Sequence, residues 1–201
     1  MYHLIKLDLL VQKRQLFIFI PIILLFILMD KHPALIFLVA SMIIPFNALT
    51  YDDKAETNIL LNSLPYTRAE IIASRYLGGL IYMLVAIGVT SAALILLNRP
   101  FSIEDVAIGS GIFLLFAAFA FPLFYVFKSG YISTVVFICF LLMVLFGPSA
   151  LSLVAEHLTA ITDFMNRFSP PALYAGAAVV IMTLYALSWK VTTILYQRRA
   201  F

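Results

Sequence analysis

The chain has 201 residues, 64% hydrophobic and 11% charged, with 13 Lys and Arg against 10 Asp and Glu for a net charge of +3. Its mean hydropathy is +1.06 and its isoelectric point is near 9.0. A soluble domain is about 45–50% apolar and roughly 25% charged, so a water-facing surface is excluded and most of the chain has lipid as its solvent. The basic excess then fits the cytoplasmic side of a membrane rather than nucleic acid.

Residues 1–15 mix apolar and basic side chains and are expected to form a helix lying at the cytoplasmic interface. A helix needs about 20 apolar residues to cross the hydrocarbon. By that measure spans are expected at 16–32, 34–50, 71–97, 106–127, 131–153 and 171–193. The runs are continuously apolar rather than alternating, which excludes a barrel. The expected fold class is all-α: one transmembrane domain over 1–201, six transmembrane helices, an N-terminal interfacial helix and a short cytoplasmic helix within the loop at 51–70. The first run ends in Asp30-Lys31-His32-Pro33 without a small-x-small cleavage site, and reads as a retained helix rather than a leader. Cys139, the single cysteine, excludes a disulfide framework and reads as a small buried hydrophobe in the fifth span. Between 156 and 171, Leu158, Ile161, Phe164 and Phe168 alternate with polar residues, predicting a short helix on the outer surface that stops at Pro170-Pro171.

With both termini inside, the cytoplasmic side carries Lys6, Lys13, Arg14, Lys54, Arg68, Arg75, Lys128, Lys190, Arg198 and Arg199. The outside carries only Lys31, Arg99 and Arg167, so the positive-inside rule selects that orientation.

All ten carboxylates fall in loops or at helix ends, which disfavours a proton- or sodium-coupled carrier built on a charge at mid-depth. No catalytic or metal site emerges. There is no HExxH pair, and His3, His32 and His157 are scattered. Gly109-Ser110-Gly111 is not a GxSxG elbow and reads as small residues permitting close helix packing, as do Ala107/Gly111 and Ala172/Gly176. Lys128-Ser129 lacks the upstream glycines of a phosphate-binding loop, so the chain offers no ATP site by that route.

The connection at 51–70 is the longest expected on the cytoplasmic side. Its acidic start suits a helix N-terminus, and Ile59, Leu60 and Leu64 share one side of about two turns that Pro65 ends. Thr67 is a fitting N-cap for the next helix, with Glu70 completing a capping box. So short a helix suits docking into a groove on a partner protein, or else lying on lipid headgroups.

The string Glu56, Leu60-Leu61-Asn62-Ser63-Leu64-Pro65-Tyr66-Thr67-Arg68, Arg75-Tyr76-Leu77 resembles the loop "E…LL.SLP.SR.EI…KYL" of ABC-2 type transporter permeases, and the layout of the whole chain is similar to theirs. The resemblance implies that 56–63 is a coupling helix inserting into an ATP-binding subunit. Glu56, Ile59, Leu60, Leu61, Ser63, Leu64, Pro65 and Arg68 would then form the coupling contact. It further implies two permeases, as a homodimer or with a close paralogue, above two ATP-binding subunits in a bacterial cytoplasmic membrane. ATP and magnesium would be bound by the partner, with no cofactor on this chain. The small outer loops look like those of compact permeases exporting amphipathic peptides, such as bacteriocin-immunity and phenol-soluble modulin systems. The translocation path would pass Tyr76, Tyr82, Thr90 and Tyr125. The alternative is the six-helix substrate-capture subunit of an energy-coupling-factor transporter, which requires a polar pocket.

Overall fold

The computed structural model describes residues 20–54, 67–126, 132–157 and 169–198. Six helical segments lie among them: α1 (20–28), α2 (Pro33–Lys54), α3 (Arg68–Leu96), α4 (Ile103–Val126), α5 (Ile132–His157) and α6 (Pro170–Arg198). Residues 1–19, 55–66, where the coupling helix is expected, and 158–168, where the outer helix is expected, lie outside the described residues.

Local chemistry sets the described helix ends. After the Leu97 cap of α3, Asn98 sits at φ 52°. Its N–H donates to the Ile95 carbonyl at 3.0 Å, and the Arg99 N–H donates to Leu94 at 2.9 Å. This paired arrangement satisfies two orphan carbonyls and requires a left-handed residue, which Asn tolerates better than most side chains. The end of α1 repeats it, with Asp30 at φ 52° and N–H bonds from Asp30 to Ile27 and from Lys31 to Phe26. An ion pair between Arg99 Nη1 and Asp30 Oδ1 joins the two turns. At the start of α4 the Ser102 N–H donates to Asp105 Oδ2 (2.8 Å) and the Asp105 N–H donates to Ser102 Oγ (3.1 Å), a capping box.

Helices run past the apolar stretches that mark them. α2 continues to Lys54, so residues 51–54, expected to open the loop with acids at a helix N-terminus, instead close the preceding helix. Nothing there breaks the backbone: neither Gly nor Pro occurs between Phe46 and Pro65. α4 begins at Ile103 and draws Glu104 and Asp105 into its first turn, where carboxylates favour the helix dipole. α5 reaches His157, beyond the expected end at 153. Pro170 and Pro171 open α6, where their missing N–H groups leave no intrahelical bond unmade. Cys139 is exposed rather than buried, because α5 presents Val136 and Phe140 to the bundle and Cys139 falls beside that stripe.

Arg68–Leu96, Ile103–Tyr125 and Pro171–Arg198 are long and apolar enough to cross a membrane. Pro33–Phe46 and Thr134–Met143 are shorter apolar helices among the described residues. The chain is a membrane protein with several apolar helices.

α2, α3, α6 and α4 pack as a closed ring, each against the next, and α5 leans on α2 and α4. One core cluster gathers Ile72, Tyr76, Phe113, Phe121, Tyr185 and Tyr196. A second holds Ile23, Ile27, Ile36, Phe37, Ile44, Tyr82 and Leu94. In lipid, transfer from water no longer drives helices together, so close packing and interhelical hydrogen bonds set the arrangement. Gly109 gives the closest approach: a Cβ there would stand 2.7 Å from both the Ala34 carbonyl oxygen and Phe37 Cβ. A Cβ at Gly111 would meet Ile181 Cδ1 at 3.4 Å, whereas one at Gly176 meets nothing within 4 Å among the described residues.

Candidate functional site

The first turn of α3 carries the capping box expected from sequence. The Thr67 N–H donates to Glu70 Oε2 at 2.9 Å, and the Glu70 N–H donates to Thr67 Oγ1 at 3.3 Å. Bonds from the Thr67 backbone, and then from its hydroxyl, hold the Glu70 carboxyl below its ordinary value of 4.5. Arg68, the first residue of the helix, reaches across to the end of α6. Its Nη1 donates to the Gln197 carbonyl at 3.0 Å and to the Tyr196 carbonyl at 3.4 Å. These are carbonyls of a helix C-terminus, where a guanidinium answers both the orphan acceptors and the negative end of the dipole.

Deeper in the bundle, Tyr76 is fully buried, with Phe121 and Tyr185 edge-on at 5.1 Å and Trp189 stacked at 5.8 Å. Its hydroxyl lies 2.8 Å from Ser188 Oγ and 2.7 Å from Thr192 Oγ1. The Ser188 hydroxyl donates to the Ala118 carbonyl at 2.5 Å, and the Tyr185 hydroxyl donates to the Tyr76 carbonyl at 2.9 Å. Each hydroxyl has one proton. Because the proton of Ser188 is on Ala118, Tyr76 donates to Ser188, and Thr192 in turn donates to Tyr76. The chain therefore has one direction: Thr192 to Tyr76 to Ser188 to Ala118.

Its end point has a covalent cause. Pro122 lies inside α4 and has no N–H, so the carbonyl four residues earlier, Ala118, receives no helical bond. Ala118 is 6% exposed, out of reach of bulk water. An unanswered buried carbonyl costs about 1–3 kcal/mol, and neighbouring hydroxyls commonly meet such groups inside membranes. Ser188 meets this one. Pro45 leaves the Ser41 carbonyl of α2 in the same position. The buried hydroxyls Ser41 Oγ and Thr90 Oγ1 have no hydrogen-bond partner among the described residues.

Of the residues expected to contact an ATP-binding subunit, Glu56, Ile59, Leu60, Leu61, Ser63, Leu64 and Pro65 lie outside the described residues. Arg68 is described, and it fastens α3 to α6. The four residues expected along a translocation path are all buried: Tyr76 and Thr90 at 0%, Tyr82 at 4% and Tyr125 at 7% exposure. Tyr125 packs edge-on against Tyr196 at 5.4 Å. An apolar cavity of about 280 Å³ opens between α1, α2 and α5, lined by Phe26, Met42, Phe46 and Phe140 among others, and none of the four lines it. No group of three or more His, Cys, Asp or Glu that could hold a metal occurs among the described residues.

The comparison of the sequence with known families decides the class: the profile of ABC-2 family transporter proteins matches residues 3–197. The chain belongs to that family. No curated protein and no solved structure matches it. As an ABC-2 family chain it is the membrane component of a transporter, and the family implies an ATP-binding partner subunit. Sequence reading missed Ser188, Thr192 and Tyr185 of this ABC-2 chain. The available signal was Pro122 in an apolar run, which demands a donor from some other helix, together with hydroxyls at 188 and 192 on one face of α6.

Proposed function

We propose that the chain is the permease subunit of an ATP-driven exporter of amphipathic peptides or similar hydrophobic cargo. It crosses a bacterial cytoplasmic membrane six times with both termini inside, and two permeases act above two ATP-binding subunits. The observation that carries the reading is the family match over 3–197, nearly the whole chain, with a bundle whose described carboxylates all sit at helix ends or turns. A transporter without a charge at mid-depth has no titratable group with which to harness a gradient. Energy then enters at the connection between α2 and α3, through Glu56, Ile59, Leu60, Leu61, Ser63, Leu64 and Pro65, and passes into α3 at Arg68. Family membership removes the substrate-capture alternative.

The test is to co-express the chain with an ATP-binding subunit that co-purifies with it and compare wild type with Glu56→Lys and Leu60→Asp. Co-purification and export of a labelled amphipathic peptide are expected to fall at least tenfold, the loss of about 1.4 kcal/mol or more of binding. Undiminished association and export in both variants would refute the placement of the coupling contact.

A further inference from the structure

Serine and threonine hydroxyls inside apolar helices ordinarily bond back to the carbonyl one turn earlier on their own helix. This chain does so repeatedly: Ser110 donates to Val106 and Thr183 to Val179, both at 2.7 Å, and Thr193 donates to Trp189 at 2.9 Å. Ser188 is different. It ignores the carbonyl of Leu184 on its own helix and donates across to Ala118 of α4. Two groups select that orientation: the carbonyl that Pro122 leaves open, and the Tyr76 hydroxyl, whose proton requires the Ser188 oxygen as acceptor.

We propose that Tyr76 is the positioning residue of a latch: its hydroxyl holds Ser188 across the α4–α6 interface, closing the break that Pro122 makes in α4. Two arrangements are available to Ser188. With Tyr76 in place, Ser188 bonds Ala118 and α4 is braced at its proline. When α3 shifts and withdraws the Tyr76 hydroxyl, Ser188 falls back on Leu184, the Ala118 carbonyl is freed, and α4 bends at Pro122. Such a pair of discrete bonding states is what a rigid-body transition needs in order to be two-state. Arg68 ties the first residue of α3 to the last turn of α6, and Tyr185 ties α6 to the backbone of α3, so a shift of α3 that withdraws the Tyr76 hydroxyl must break these two bonds as well, and all of them open together. The role in transport rests on the function proposed above; the latch itself does not.

The test uses the full chain in lipid nanodiscs, with backbone hydrogen exchange followed by peptide mass analysis. Tyr76→Phe keeps the ring among Phe121, Tyr185 and Trp189 and removes only the hydroxyl. Exchange in the α4 peptide around Pro122 is expected to quicken roughly tenfold in Tyr76→Phe and in Ser188→Ala, the scale of one lost buried hydrogen bond. Exchange in α2 is expected to stay as in wild type. In a Pro122→Ala background the Ala118 carbonyl regains a helical N–H, so Tyr76→Phe should leave α4 unchanged. Unaltered α4 exchange in Tyr76→Phe would overturn the latch, and so would an effect that persists undiminished in the Pro122→Ala background. If exchange behaves as expected while export by the complex is indifferent to Tyr76→Phe, the latch stands and its link to transport falls.

Discussion

Replacing Gly109 with alanine adds one methyl group at the tightest of the described glycine contacts. The new Cβ would lie 2.7 Å from the Ala34 carbonyl oxygen, 2.7 Å from Phe37 Cβ and 3.1 Å from the Leu38 nitrogen. Backbone and Cβ atoms cannot swing aside as the tip of a long side chain does, so α2 must retreat from α4. Restoring ordinary contact at 3.4 Å from 2.7 Å requires a shift of 0.7 Å, and Phe37, fully buried, moves with it. Overpacking of this kind costs about 1–3 kcal/mol. In water alanine would recover about 1 kcal/mol through helix propensity, but helices in lipid stay helical when they separate, so that gain largely cancels. The expected loss is about 2 kcal/mol, or roughly thirtyfold in the folding equilibrium. The assay is reversible unfolding of the purified protein in mixed micelles, with Gly88→Ala as control, because a Cβ at Gly88 meets nothing within 4 Å. Gly88→Ala should stay within about 0.5 kcal/mol of wild type. Equal stability of Gly109→Ala and wild type, or equal damage from both variants, would refute the reasoning.

Asn98, held at φ 52°, should accept glycine without loss, whereas Asn98→Val is expected to lower stability by about 1–2 kcal/mol in the same assay. For Glu70, hydrogen bonds from Thr67 lower the folded-state carboxyl below 4.5, so its contribution is fully present above that pH and is lost as pH falls through the lowered value. The difference in thermal midpoint between wild type and Glu70→Gln should therefore be constant from pH 7 down to about 4.5 and shrink below it; a difference that grows on acidification would contradict the sign.

Several features were written in neighbouring residues. Thr67 and Glu70 are three positions apart, so their capping box depends on local backbone alone and was readable before any fold was known. The long apolar runs announced helices and lipid for the same reason, since a span must satisfy its hydrogen bonds within itself. Gly109 was rightly read as a packing residue. Which way a helix faces was another matter. A helix surrounded by lipid is apolar on every side, so the periodicity that marks a buried stripe in a soluble protein is missing. Cys139 was therefore expected inside and lies outside, and only the fold shows which residues surround the buried Tyr76. Pro122 made it certain that Ala118 needed a donor; only the tertiary fold brought Ser188, 70 positions along the chain, within 2.5 Å of it.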